Sequence, residues 1–202
     1  MSRLEIAPGV FFWREKFSRA AQEKLLHEVL TLERQAPFYR PVMPGTGKPF
    51  SVEETNFGAL GWVSDKSGYR YQPRHPVTDR PWPAIPLTLM ALWDEIAGMP
   101  QAECCLVNLY RAKARMGLHQ DKDEKALASP VVSVSLGDQA IFRIGGQTRR
   151  GPAKSLKLAS GDVVMFGGPA RLAYHGIDRI MPGTSTLVPG GGRINLTLRR
   201  VT

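Results

Sequence analysis

A chain of 202 residues, 43% hydrophobic and 22% charged, is long enough for one domain with a substantial core and short for two. No apolar run approaches the roughly 18 residues of a membrane span, and the opening Met1-Ser2-Arg3-Leu4-Glu5 lacks the layout of a secretory signal. A cytoplasmic protein is therefore expected. Cys104 and Cys105 are the only cysteines, and as neighbours they suit neither a structural disulfide nor a zinc site, which fits a reducing compartment. The net charge of +9 is uneven: residues 1–100 carry 12 Lys+Arg against 11 Asp+Glu, and residues 101–202 carry 15 against 7. A positive field on the second half draws polyanions, nucleic acid above all. A solvated basic surface without a partner is the other reading.

Along the chain, residues 17–34 read as an amphipathic helix, with Phe17, Ala21, Leu25, Val29 and Leu32 at spacings of three and four and Ser18 offered as cap. Residues 36–80 are rich in Pro, Gly and aromatics, a pattern for short strands and ordered loops. A second helix is expected over 86–98, with Pro86 in its first turn and Gly98-Met99-Pro100 as its stop. From Leu106 the pattern turns to short strands: 106–110, 131–136, 140–144, 155–158, 162–166 and 193–201, separated by Gly-rich turns. Strands in succession without helices between them argue for an antiparallel sandwich or barrel, a jelly roll being one form.

His119-Gln120-Asp121 sets an imidazole and a carboxylate two positions apart, on one face of an extended segment. His175 follows 54 residues after Asp121. Two imidazoles and one carboxylate make the facial triad of non-haem iron oxygenases, which leaves coordination positions for cosubstrate and oxygen. His27 and His75 lack a carboxylate at strand spacing. A His-x-Asp pair alone is a weak signal, because a strand histidine often serves only as a hydrogen-bonded structural residue. The run Arg193-Ile194-Asn195-Leu196-Thr197-Leu198-Arg199 alternates cleanly. Either its arginines face solvent, or they face inward, where an anion such as a dicarboxylate has to satisfy them.

These segments together resemble the AlkB family of Fe(II)/2-oxoglutarate dioxygenases, which repair alkylated bases. The resemblance runs from about Gly58 to Arg199. It rests on Leu106-x-Asn108-x-Tyr110, on Leu118-His119-Gln120-Asp121-Lys122-Asp123-Glu124, on Val131 to Gly137, on Gly161-Asp162-Val163-Val164, on Tyr174-His175-Gly176-Ile177 and on the Arg193–Arg199 run. Phe166 departs from the pattern at a position where Trp is also found.

The resemblance implies a mainly β fold with flanking helices (α+β): a double-stranded β-helix, or jelly roll, over residues 101–202. Residues 1–100 would supply helices and a nucleotide-recognition lid within one catalytic domain of 1–202. It implies Fe(II) on His119, Asp121 and His175, and 2-oxoglutarate among Asn108, Tyr110, Arg193, Asn195, Thr197 and Arg199. Arg193 and Tyr110 would meet the distal carboxylate, with Arg199 and Asn108 nearer C1. O2 is the other cosubstrate. Trp62, Tyr69, Arg70, Tyr71, Asp123 and Arg149 match positions that meet the substrate. The expected reaction is oxidative demethylation of 1-methyladenine- or 3-methylcytosine-type bases in DNA, single-stranded or flipped from a duplex, releasing formaldehyde, succinate and CO2. RNA, or a substrate that is not nucleic acid, is the alternative. No element reads as a dimer interface, so a monomer with no membrane partner is expected.

Overall fold

The computed structural model describes residues 3–98 and 100–202. Met1, Ser2 and Met99, which entered the N-terminal and helix-stop readings, lie outside the described residues. Chain order begins with β1 (Leu4–Ala7), β2 (Val10–Trp13) and α1 (Arg19–Glu33), followed by β3 (Glu53–Gly58), β4 (Gly61–Asp65), β5 (Gly68–Gln72) and α2 (Leu87–Ile96). The second half holds β6 (Cys104–Tyr110), β7 (Met116–His119), β8 (Val131–Gly137), β9 (Gln139–Gly145), β10 (Ala153–Leu158), β11 (Val163–Phe166), β12 (His175–Met181) and β13 (Arg193–Arg199).

Seven strands form a large antiparallel sheet in the order β1-β2-β11-β8-β13-β6-β3, and four form a smaller one in the order β10-β9-β12-β7. Successive strands cross between them: β6 to β7, β8 to β9 and β11 to β12 each leave the large sheet for the small one. This is the expected jelly roll, with β4 and β5 as a separate hairpin.

Alternation decides which side chain enters which layer. On β13, Ile194, Leu196 and Leu198 join a core with Leu25, Val29, Leu89 and Trp93 of the helices. Arg193, Asn195, Thr197 and Arg199 point the other way and are buried too. A second apolar cluster, including Val10, Phe12, Phe142, Phe166 and Ile177, fills the space between the sheets. The cysteines are free and buried on opposite sides of β6, Cys105 toward the helices and Cys104 in a small cluster with Leu106 and Val201.

Helix α1 starts as expected, the Ser18 hydroxyl accepting from the Ala21 N–H at 3.3 Å. Pro86 sits one position before α2 with ψ 135°, as its N-cap rather than in its first turn. No helix among the described residues is long and apolar enough to cross a membrane.

Candidate functional site

His119 closes β7 and His175 opens β12, and the two stand directly opposite in the antiparallel register of those strands. Their rings are 4.5 Å apart between centroids. Asp121 lies just beyond β7, its carboxylate oxygens 3.6 Å from His119 Nε2 and 3.9 Å from His175 Nε2. One donor atom from each of the three falls within 4.8 Å of the others.

Backbone carbonyls fix both rings. His119 Nδ1 lies 2.9 Å from Gly117 O, and His175 Nδ1 lies 3.0 Å from Ala173 O. A carbonyl only accepts, so each Nδ1 carries hydrogen and each Nε2 is the nitrogen turned toward a metal. Burial, then the neighbouring His119, pull His175 down to about 4, so this imidazole stands neutral. Burial alone would push Asp121 up, but Arg199 and then the two histidines outweigh it and hold the carboxyl well below its usual range. Two imidazoles and an ionised carboxylate with open space before them suit Fe(II). Gly176 permits this approach of strands, since a Cβ there would stand 2.5 Å from Met116 O.

The triad lines a cavity of about 550 Å³ together with Asn108, Tyr110, Asn195, Thr197 and Arg199. Arg193 does not itself line the cavity. Its guanidinium lies over the Tyr110 ring at 5.3 Å and donates from Nη2 to Ser135 Oγ at 2.9 Å and Asn195 Oδ1 at 2.5 Å. Its Nε and Nη1 are buried without a partner. A fully buried guanidinium with two unused donors is costly unless an anion meets it, so the donor set fits a dicarboxylate. Arg199 is occupied differently. Its Nη2 is 2.8 Å from Asp121 Oδ2, and its Nη1 donates to the Tyr71 hydroxyl at 3.2 Å.

Trp62, Tyr69, Asp123 and Arg149 line the same cavity. Trp62 and Tyr69 stack with centroids 5.4 Å apart and planes 22° from parallel, and the Trp62 indole N–H donates to Asp123 at 2.8 Å. The structure does not bring Arg70 and Tyr71 to the cavity wall. Arg70 pairs with Asp65 at 2.7 Å on the exposed side of the hairpin, and the Tyr71 hydroxyl bonds to Glu124.

The 2OG-Fe(II) oxygenase superfamily model matches residues 9–199. An alpha-ketoglutarate-dependent dioxygenase AlkB homolog of Caulobacter vibrioides is 56% identical over 201 residues, covering 98% of this chain and 90% of that protein. The chain belongs to the AlkB family. AlkB of Escherichia coli K12 is 44% identical over 96% of this chain and 91% of its own length. The solved structure of OsALKBH1 superposes with a TM-score of 0.83 at 29% identity, over 98% of this chain and all of the other. This AlkB-family chain is thus a 2-oxoglutarate-dependent dioxygenase that uses Fe(II) and O2.

Three residues of the site received no role in the sequence reading, although Glu124 closes the motif that begins at Leu118. Arg171 is buried and clamps the loop after His119, donating to Asp121 O at 2.6 Å, Ser129 O at 2.9 Å and Glu124 Oε2 at 3.1 Å. Glu124, its partner, is buried as well. Glu54, on the cavity wall, is 0% exposed. Arg171 stands four positions before His175 and Glu124 three after Asp121, so nearness to the triad was the available signal. Glu54, within Val52-Glu53-Glu54-Thr55, carries no such signal.

Proposed function

We propose that this enzyme removes methyl groups from the ring nitrogens of 1-methyladenine- and 3-methylcytosine-type bases in DNA by oxidation. The observation that carries the reading is the shared cavity: the triad lies in it together with the aromatic pair Trp62–Tyr69 and the carboxylate of Asp123. Flat faces take a base by stacking, and a cationic methylated base gains further from aromatic faces and a nearby carboxylate. Among the curated relatives is a DNA N(6)-methyladenine demethylase of Arabidopsis thaliana, 43% identical over 53% of this chain and 26% of that protein.

In this proposal His119, Asp121 and His175 hold Fe(II). When bound, the iron with O2 and 2-oxoglutarate supplies the oxidation that hydroxylates the methyl carbon, the cosubstrate leaving as succinate and CO2. The hydroxymethyl product releases formaldehyde and the unmodified base. The chain provides placement. Arg193 and Tyr110 take the distal carboxylate of 2-oxoglutarate, Asn108 and Arg199 stand nearer its C1 end, and Asn195 and Thr197 complete the wall. Trp62 and Tyr69 hold the base beside Asp123, while Arg149 meets substrate at the rim. Arg70 and Tyr71 belong to the same hairpin, Arg70 reaching the nucleic-acid backbone and Tyr71 supporting the site from behind. The base arrives flipped or in a single strand. The enzyme acts as a cytoplasmic monomer in one domain, which its free, buried cysteines and few exposed large apolar side chains support.

Formaldehyde and succinate release from a single-stranded DNA oligonucleotide carrying 1-methyladenine or 3-methylcytosine tests the reading. Turnover dependent on 2-oxoglutarate is expected. Turnover confined to the matching RNA would replace DNA as the substrate, and none on any methylated oligonucleotide would end the proposal.

A further inference from the structure

One rung across β3, β6, β13 and β8 of the large sheet carries polar side chains. Tyr39 stands opposite Glu54 through an isolated bridge, Glu54 opposite Asn108, Asn108 opposite Asn195, and Asn195 opposite Ser135. Residues directly opposite in antiparallel strands send their side chains to the same face. The outer part of this rung is unsatisfied within the protein: the Tyr39 hydroxyl, both Glu54 carboxyl oxygens and Asn108 Oδ1 are buried without a partner. Asn108 Nδ2 is not among these orphans, and the Asn108 side chain lines the cavity. Three neighbouring orphan groups on adjacent segments are far more than chance leaves in a core, where nearly every buried polar atom is bonded.

We propose that Glu54 is a positioning residue: its carboxyl, beside Asn108 across the β3–β6 register, donates a hydrogen bond to Asn108 Oδ1 and so turns the Asn108 amide N–H toward 2-oxoglutarate. The inference rests on the reading that Asn108 meets the cosubstrate. Its chemistry follows from what each group can do. Asn108 Oδ1 can only accept, so a neighbour that bonds to it must donate. A neutral carboxylic acid can donate; an ionised carboxylate only accepts.

Burial pushes Glu54 up to about 8 against the pull of Arg199, so the acid holds its proton at neutral pH. The groups around it do not compete over that range. Burial holds Tyr110 up at about 12 and Tyr39 higher still, and Arg199 is lifted by Asp121 despite its burial. An amide set by such a neighbour presents a donor to the cosubstrate at no ordering cost when it binds.

The test is calorimetric binding of 2-oxoglutarate to the Fe(II) protein without O2, for wild type, Glu54→Leu, Glu54→Gln and Asn108→Ala. Glu54→Leu removes a buried, unpartnered acid in favour of an apolar group, and thermal melting checks that it folds. Glu54→Leu is expected to weaken 2-oxoglutarate binding about tenfold, the worth of one hydrogen bond to a charged group. Glu54→Gln, whose amide both donates and accepts, should stay within about twofold of wild type on the same grounds. Wild-type affinity should fall from pH 7 to pH 9 as Glu54 ionises, and Glu54→Gln should not follow it. Wild-type affinity in a folded Glu54→Leu protein, or a Glu54→Gln protein as weak as Glu54→Leu, overturns the proposal. Undiminished affinity in Asn108→Ala would instead remove the cosubstrate reading beneath it.

Discussion

Arg199 Nη2 lies 2.8 Å from Asp121 Oδ2, and both side chains are about nineteen-twentieths buried. The last arginine of β13 is therefore tied to the carboxylate between the two histidines, as a charge contact and not a well-aligned hydrogen bond. It also reaches the Tyr71 hydroxyl and comes within 3.6 Å of Glu124. One guanidinium thus joins β13, the loop after β7 and the β4–β5 hairpin.

Replacing Arg199 by Leu leaves Asp121 and Glu124 buried with less positive charge around them. Breaking a buried pair from one side costs about 3 kcal/mol or more, which for a chain of this size lowers Tm by roughly 6–12 °C. Arg199→Lys keeps the charge but not the fork, and should fall between. Calorimetric melting of the metal-free proteins measures this, and a Tm within about 2 °C of wild type for Arg199→Leu contradicts the assignment.

Asp121→Ala and His175→Ala each remove a donor that no neighbour can replace. Turnover should fall by about 1,000-fold or more, a loss of some 4 kcal/mol in transition-state stabilisation, with iron content after gel filtration falling alongside. Succinate formation and metal analysis on the same samples settle it. An active, iron-loaded Asp121→Ala protein would place the metal elsewhere.

In the proposed function Trp62 serves through both its ring and its N–H. Trp62→Ala should raise KM for a methylated oligonucleotide about tenfold or more, since stacking on one base is worth about 1–3 kcal/mol. Trp62→Phe keeps a flat face and loses only the bond to Asp123, so a rise of about two- to fourfold is expected, in line with a modest exposed hydrogen bond. In both, KM for 2-oxoglutarate should hold. Equal effects of the two substitutions would show that the indole N–H matters more than the face.

Glu54 also makes a prediction about stability. Burial raises its folded value from 4.5 to about 8, with Arg199 opposing. The unfolded chain releases this proton near 4.5 and the folded chain only near 8, so between them the folded state binds more protons. Stability from this group is complete below the unfolded value and is lost as pH rises through the folded one. Urea melts of wild type at pH 5 and pH 8 should differ from those of Glu54→Leu by a relative loss on the order of 3 kcal/mol at the higher pH. Parallel pH dependence in the two proteins counts against a neutral Glu54.

Cys104 and Cys105 should be silent to thiol reagents in the folded protein. Both are wholly buried, and burial pushes Cys104 up to about 12 and Cys105 well above its ordinary value. Thiolate is the reactive form, so labelling should track unfolding in denaturant. Rapid labelling under native conditions would contradict the burial.

Much of this architecture was legible because alternation is strong where one face of a strand packs in an apolar core and the other faces a polar layer. Val131–Gly137 and Arg193–Arg199 emerged close to their true bounds for that reason. The solvent-facing reading of Arg193 and Arg199 failed, because a second sheet covers the face that a single strand pattern leaves open. The strands carrying the histidines were harder to see. Met116–His119 is only four residues with a glycine inside, and a register shift between Ile177 and Arg179 breaks the alternation of β12. Four-residue runs such as Val10–Trp13 declare themselves only when a neighbour pairs with them, here β11. The Arg171–Glu124 pair was invisible because its partners are 47 residues apart and meet only after the sheets close.

His119 and His175 face each other across two neighbouring strands, so the gap between them is set by sheet spacing and is indifferent to how much chain runs between them. The loop that joins β9 to β10 beyond Gly146 can be lengthened, shortened or exchanged for another without altering the chelate, which makes it the place to graft a new substrate preference onto an unchanged centre. The reverse also holds. A one-residue slip of β12 against β7 would turn His175 to the opposite face and abolish the centre with every ligand still present in the chain.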